Sequence, residues 1–209
     1  MTRDEWIILV ASIVAALILI IALFPLLKRS FYTRNFVRIY YRDVYRIALY
    51  FDFFLINELI LKLDDQNTST LDHVIFGEKY IYAIRDKYLP GALSGKAEDQ
   101  QWIYHPRHQR PKRIDNLLKF NRVRVEKMSL VTGLDYDLFI SIVLVNDDLD
   151  LSEVEINSKV DYIVHRKDLY KLIKAIESRP VSKINEQELQ QAVRDIDKIN
   201  QKHELKRKR

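Results

Sequence analysis

Asp72 stands in an apolar stretch that reads as a strand, and Arg85-Asp86-Lys87 closes the next such stretch. A hairpin between the two would bring these residues together. Phosphodiester hydrolysis requires carboxylates that hold Mg²⁺ and a lysine that orients water or stabilises charge. Glu58, read as part of a preceding helix, can supply another oxygen. The same residue types are common on solvent-facing strands, so on residue types alone an ordinary strand surface is the leading reading. His105 and His108 are three apart, but no further zinc ligands can be placed beside them. Asp147, Asp148, Asp150, Glu153 and Glu155 read as a solvated acidic loop.

These residues need elements to position them. Val44 to Leu63 carries Arg46, Asp52, Asn57, Glu58 and Lys62, too many polar groups for mid-membrane, and reads as a buried helix. Residues 64–68 read as a loop. Leu71–Phe76 and Lys79–Arg85 then read as strands, with turns around Gly91 and Gly95 and further strand character at Gln101–Tyr104. Pro111 suits a helix start and Gly133 its stop. Leu138–Val145 is a continuous apolar run, as in a strand buried on both faces. Val154–Ile156 and Asp161–His165 add short strands, and Leu169, Leu172, Ile173 and Ile176 have helical spacing. The pattern predicts an α/β fold, a mixed sheet flanked by helices. An amphipathic helix over Glu186–Leu205 and a basic end, Lys206 to Arg209, follow.

Composition narrows the function classes. The 209 residues include no cysteine, which removes disulfides, zinc-thiolate sites and thiol nucleophiles. Only four glycines occur, and neither G-x-G-x-x-G nor G-x-x-x-x-G-K-[ST] is present, so motif-based dinucleotide and P-loop readings fall away. With 48% hydrophobic and 30% charged residues, the chain is too apolar to be disordered.

Ile7 to Leu27 holds no charge and one polar residue, Ser12. At about 1.5 Å per residue this stretch covers roughly 31 Å, close to the ~30 Å hydrocarbon core of a bilayer. It is longer than a signal-peptide core and lacks a small-residue cleavage site, so the expectation is an uncleaved transmembrane helix. Charge flanking that segment predicts a single-pass topology, amino terminus outside and the remaining chain cytoplasmic. Arg34, Arg38, Arg42 and Arg46 recur every four residues among tyrosines, which fits a helix meeting anionic lipid or a solvated helix face. The resulting expectation is a short tail over 1–6, a membrane helix over 7–27, and a basic segment over 28–47. A globular domain over 48–180 and a basic carboxy-terminal helix over 181–209 complete it.

Leu71-Asp72-His73-Val74-Ile75, then Ile81-Tyr82-Ala83-Ile84-Arg85-Asp86-Lys87, then Gly91, Gly95, Trp102 and His105-Pro106-Arg107-His108-Gln109 resemble the nuclease-related domain family, NERD. That family is similar to the PD-(D/E)XK nucleases, which implies a mixed α/β core and Mg²⁺-dependent cleavage of nucleic acid. The likeness covers roughly Ala48 to Ser178. By position it implies that Asp72 and Glu58 hold the metal, and that Lys87 and Gln109 are catalytic. His105 stands where the family has Asn. Arg85 stands where the second metal-binding glutamate is expected.

That replacement opposes a metal site. Arg85 and Lys87 share a strand face and Asp86 points to the other. A guanidinium about 4 Å from Asp72 would gain roughly 4 kcal/mol at an effective dielectric near 20, and could take the position of the cation. The expectation is a nucleic-acid or partner-binding module with a degenerate site; an active Mg²⁺ nuclease and a structural scaffold are the alternatives. Arg107, Arg110, Lys112 and Arg113 supply a candidate phosphate-contacting surface. The net charge of +5 is itself local. Residues 28–46 carry six basic groups against one acidic, and 201–209 carry five against one, so the rest of the chain is slightly acidic.

Overall fold

The computed structural model describes residues 3–62, 68–107 and 109–200; within the first range, side chains 3–5, 7–11, 25, 26, 28, 29 and 62 are not described. Two compact units are present, 1–39 and 40–209. One continuous helix, α1 (Arg3–Phe51), runs through the first and begins the second. Among the described residues no helix is long and apolar enough to cross a membrane. This overturns the expected transmembrane helix over 7–27, and with it the single-pass placement with an outside terminus and a cytoplasmic domain.

The second unit opens with the last turns of α1. Its end is a Schellman motif: Phe53 N–H donates to the Ala48 carbonyl at 2.9 Å and Asp52 N–H to Leu49 at 3.3 Å. Asp52 itself adopts φ 57°, the left-handed conformation that aspartate tolerates better than most residues. The chain therefore leaves the helix at residue 51, and the stretch expected to be helical to Leu63 becomes a strand, β1 (Phe54–Lys62). The expected loop at 64–68 lies outside the described residues except for Thr68, which opens β2 (Thr68–Phe76).

Next come β3 (Ile81–Lys87), β4 (Gly91–Lys96), β5 (Gln101–Pro106), β6 (Lys112–Asp115), α2 (Leu117–Thr132), β7 (Phe139–Val145), β8 (Asp150–Glu155), β9 (Asp161–His165), α3 (Leu169–Glu177) and α4 (Glu186–Ile199). In place of the one mixed sheet expected, the described residues form two. The first has the order β1-β2-β3-β7-β9 and the second β6-β5-β4-β8. In the first, β1, β2 and β3 form an antiparallel meander, and β7 and β9 continue parallel to β3. Every residue of β7 is buried, as its unbroken apolar run requires at the centre of a parallel segment.

Helices cover both faces of the first sheet. Val125 and Met128 of α2 and Ile196 of α4 join Ile56, Leu59, Val74, Phe76, Ile81 and Ala83 in one core. On the other face, Glu177 of α3 accepts from the Tyr82 hydroxyl at 2.6 Å and the Tyr41 ring of α1 lies 6.2 Å from that of His73. A second core, with Leu93, Trp102, Tyr104, Leu118, Val143 and Val145, joins the second sheet to α2 and β7.

The glycines of the 91–102 region have a steric cause. Gly95 has φ 148°, and a Cβ there would sit 2.4 Å from the Trp102 indole. Trp102 is fully buried and donates its indole N–H to the Lys96 carbonyl at 2.8 Å. α2 starts on Asn116, whose side-chain oxygen accepts from Leu118 and Lys119 N–H, and stops at Gly133 with φ 69°. Pro111 therefore precedes a short strand, and the helix begins six residues later than expected.

Candidate functional site

The β2–β3 hairpin presents two chemically different faces. Alternation along β3 sets Arg85 and Lys87 on the face of Ile81 and Ala83, towards α2, and Asp86 on the opposite face. On the α2 face, Arg85 Nη1 donates to Asp72 Oδ1 at 3.1 Å and to the Thr70 hydroxyl at 3.3 Å. The other oxygen of Asp72, Oδ2, accepts the backbone N–H of Asp86 at 2.8 Å. Both carboxylate oxygens are thus engaged by donors of the neighbouring strand. Side-chain exposures of 24% for Arg85 and 33% for Asp72 let water screen the pair, so its net worth is about 1 kcal/mol or less.

Behind that face the hairpin is dry. His73, which is buried, stands between Asn57 Oδ1 at Nδ1 and Asp86 Oδ2 at Nε2. Burial pushes the Asp86 carboxyl above the ordinary aspartate range, against the pull of the His73 hydrogen bond. Tyr40 of α1 donates its hydroxyl to the Lys87 carbonyl at 3.3 Å, tying the end of β3 to the helix.

Lys87 is half-buried. Burial lowers its proton affinity first, then the positive charges of Arg85 and Arg124, with Asp72 alone opposing them. Arg124 is depressed in the same order, by burial and then by Arg85. It projects from α2 one turn after Phe120, donating to the Phe120 carbonyl at 2.9 Å with its guanidinium 4.2 Å from the ring centre. Asn121, on the same helix, anchors α2 to the sheet by donating to the Ala83 and Ile142 carbonyls and to the Ser141 hydroxyl.

Of the sequence-derived site residues, the fold gathers Asp72, Arg85 and Lys87. Glu58 is not on a helix. It lies in β1 with φ 57°, exposed, between the pairs Asn57↔His73 and Leu59↔Leu71, and so across from Asp72 in register. Gln109 lies elsewhere, exposed in the β5–β6 connection of the second sheet, its N–H directed at the Pro106 carbonyl at 3.4 Å. The basic surface residues divide. Arg107 is paired with Asp148 at 2.9 Å, so that acidic loop is not wholly solvated. Lys112 stands over the Tyr104 ring at 5.6 Å, and Arg110 and Arg113 are exposed. His108 and the basic end 201–209 lie outside the described residues.

A divalent cation does not fit this arrangement. Asp72 would have to release Arg85 and the Asp86 N–H, and no group of three or more His, Asp or Glu able to hold a metal occurs among the described residues. Arg124 and the Asn57–His73–Asp86 chain were not singled out by sequence reasoning as parts of the site. Arg124 was one of many basic residues in a long stretch, and only the packing of α2 on β3 distinguishes it.

No family model matches the sequence, and no curated protein matches it. Among solved structures, one described as "Protein of Unknown Function AF1548" is similar, with 11% identity over 75% of this chain and 78% of that chain, at a TM-score of 0.35.

Proposed function

We propose that this chain is a nuclease-related module that binds nucleic acid without cleaving it. The observation that carries the reading is the Arg85–Asp72 pair at 3.1 Å. A fixed internal guanidinium neutralises the carboxylate that metal-dependent hydrolysis would need, and it cannot deliver an activated water as a bound metal does. Arg110, Lys112 and Arg113 have no carboxylate within 4 Å among the described residues, so their charge is available to phosphates.

The test uses the full chain. Filter binding of duplex DNA over a salt series should give an affinity that falls linearly in log–log form, and Arg113→Gln combined with Lys112→Gln should flatten the slope by about two. Incubation with plasmid and Mn²⁺ should give no cleavage above an Asp72→Ala control. Cleavage that depends on Asp72 would replace this reading with an active Mg²⁺-dependent nuclease. Absence of DNA affinity at low salt would leave a structural role.

A further inference from the structure

Arg85 and Lys87 share the face of β3 that α2 covers, and their charges and that of Arg124 act on one another there, with Asp72 the opposing carboxylate among the described residues. One negative charge against three positive leaves a local excess of two. Such an excess in a half-buried place is unfavourable unless an anion shares it.

The donors are also incompletely used. Arg85 Nε is buried with no protein acceptor. Neither Lys87 nor Arg124 has a carboxylate within 4 Å among the described residues, and the one side-chain contact of Arg124 to an oxygen is its own helix carbonyl, Phe120. Buried donors without partners are uncommon in a folded chain and mark places where another group completes the bonding.

The frame around them is fixed. Lys87 and Arg85 are two apart on one strand, about 6.6 Å along its axis. Their parallel partners in β7 are Val145 and Val143, both core residues. Arg124 is held against the Phe120 ring, and Asn121 pins the same face of α2 to the Ala83 carbonyl. A ligand would find the cations already placed, with little side-chain ordering left to do.

We propose that Arg85, Lys87 and Arg124 form a binding site for a dianionic phosphate group, a phosphate monoester such as the terminal phosphate of a nucleic acid. The charge decides the class. A monoester carries about −1.5 to −2 at neutral pH and matches the local excess, whereas an internal diester carries a single charge. A planar guanidinium offers paired N–H groups to two phosphate oxygens, and the lysine ammonium serves the third as a point charge. The site rests on the reading above to the extent that Arg85, not a metal, occupies Asp72.

The experiment titrates the full chain at one salt concentration with three probes: inorganic phosphate, a 5′-phosphorylated oligonucleotide, and the same oligonucleotide with a 5′-hydroxyl. The phosphorylated strand should bind about tenfold tighter than the hydroxyl strand, and inorganic phosphate should remove that advantage. Arg124→Gln and, separately, Lys87→Gln should erase the preference at an unchanged melting temperature. Binding of inorganic phosphate that both substitutions abolish, without discrimination between the two strands, would still support the site and identify free phosphate as its source. Equal, salt-dependent binding of both strands with no phosphate binding would overturn the site while leaving the nucleic-acid reading intact. A preference that survives both substitutions would overturn it as well.

Discussion

His73 Nε2 lies 2.9 Å from Asp86 Oδ2, on the dry side of the strand whose wet side carries Arg85. The two carboxylate contacts of one hairpin therefore differ in what they are worth. Replacing Asp86 with alanine leaves a buried imidazole without its hydrogen-bond partner and should cost about 3 kcal/mol in urea unfolding. Replacing Arg85 with alanine should cost about 1 kcal/mol or less. The reverse order would show that the hairpin is held together from its solvent side.

Arg85→Glu tests what excludes the metal. The variant sets a second carboxylate beside Asp72, in place of the cation. Millimolar Mn²⁺ should raise its melting temperature and leave the wild-type chain unmoved. A ligand at 100 times its Kd contributes about 2.7 kcal/mol, several degrees for a domain of this size. An equal Mn²⁺ response from both chains would show that Arg85 does not govern the site.

The glycines separate two steric situations. Gly95→Ala places a methyl group 2.4 Å from the Trp102 indole at φ 148°, and should destabilise by about 3 kcal/mol. Gly133→Ala also adopts a left-handed φ, 69°, but meets nothing within 4 Å, so only conformational cost remains, about 1 kcal/mol. Thermal melts of the two variants should rank in that order, and quenched Trp102 protection should accompany only the first.

Burial pushes the Glu177 carboxyl above its ordinary value of 4.5, with the hydrogen bond from Tyr82 pulling the other way. The folded chain holds this proton more tightly than the unfolded chain does. Glu177 therefore contributes most at low pH, and its contribution declines as pH rises through a window that begins near 4.5. The stability of the wild type relative to Glu177→Gln should fall as pH rises above about 4.5. A difference that is flat or rises over that range would contradict the assignment.

Much of the second unit was legible because its signals are local. The apolar run of β7, the stop at Gly133 and the spacing of Leu169, Ile173 and Ile176 each specify an element without knowledge of its neighbours. β1 was misread for a definite reason. Glu58 takes a left-handed φ inside the strand, so the buried positions run Ile56, Leu59, Leu61, and the first interval of three mimics a helix. Asp52 hid the helix end in the same way, since aspartate there carries the role usually given to glycine. The second sheet was not legible either, because strand propensity does not state which strands pair. The reach of Asp72 to Arg85 followed from hairpin geometry alone. Arg124 required the docking of α2, and the separation of Gln109 required knowing that its strand belongs to another sheet.

The parallel pairing of β3 with β7 has a kinetic meaning. Asp72 and Arg85 are 13 residues apart and belong to one hairpin, whereas the ladder from Ile81 to Phe139 closes a loop of 58 residues. Closing the longer loop carries the larger entropic cost, and non-local pairings of this kind are slow to form. The expected order of events is that the hairpin matures first and the carboxylate meets its arginine before α2 delivers Arg124. On a growing chain, Asp72 would be claimed by its own hairpin while the second sheet is still being synthesised.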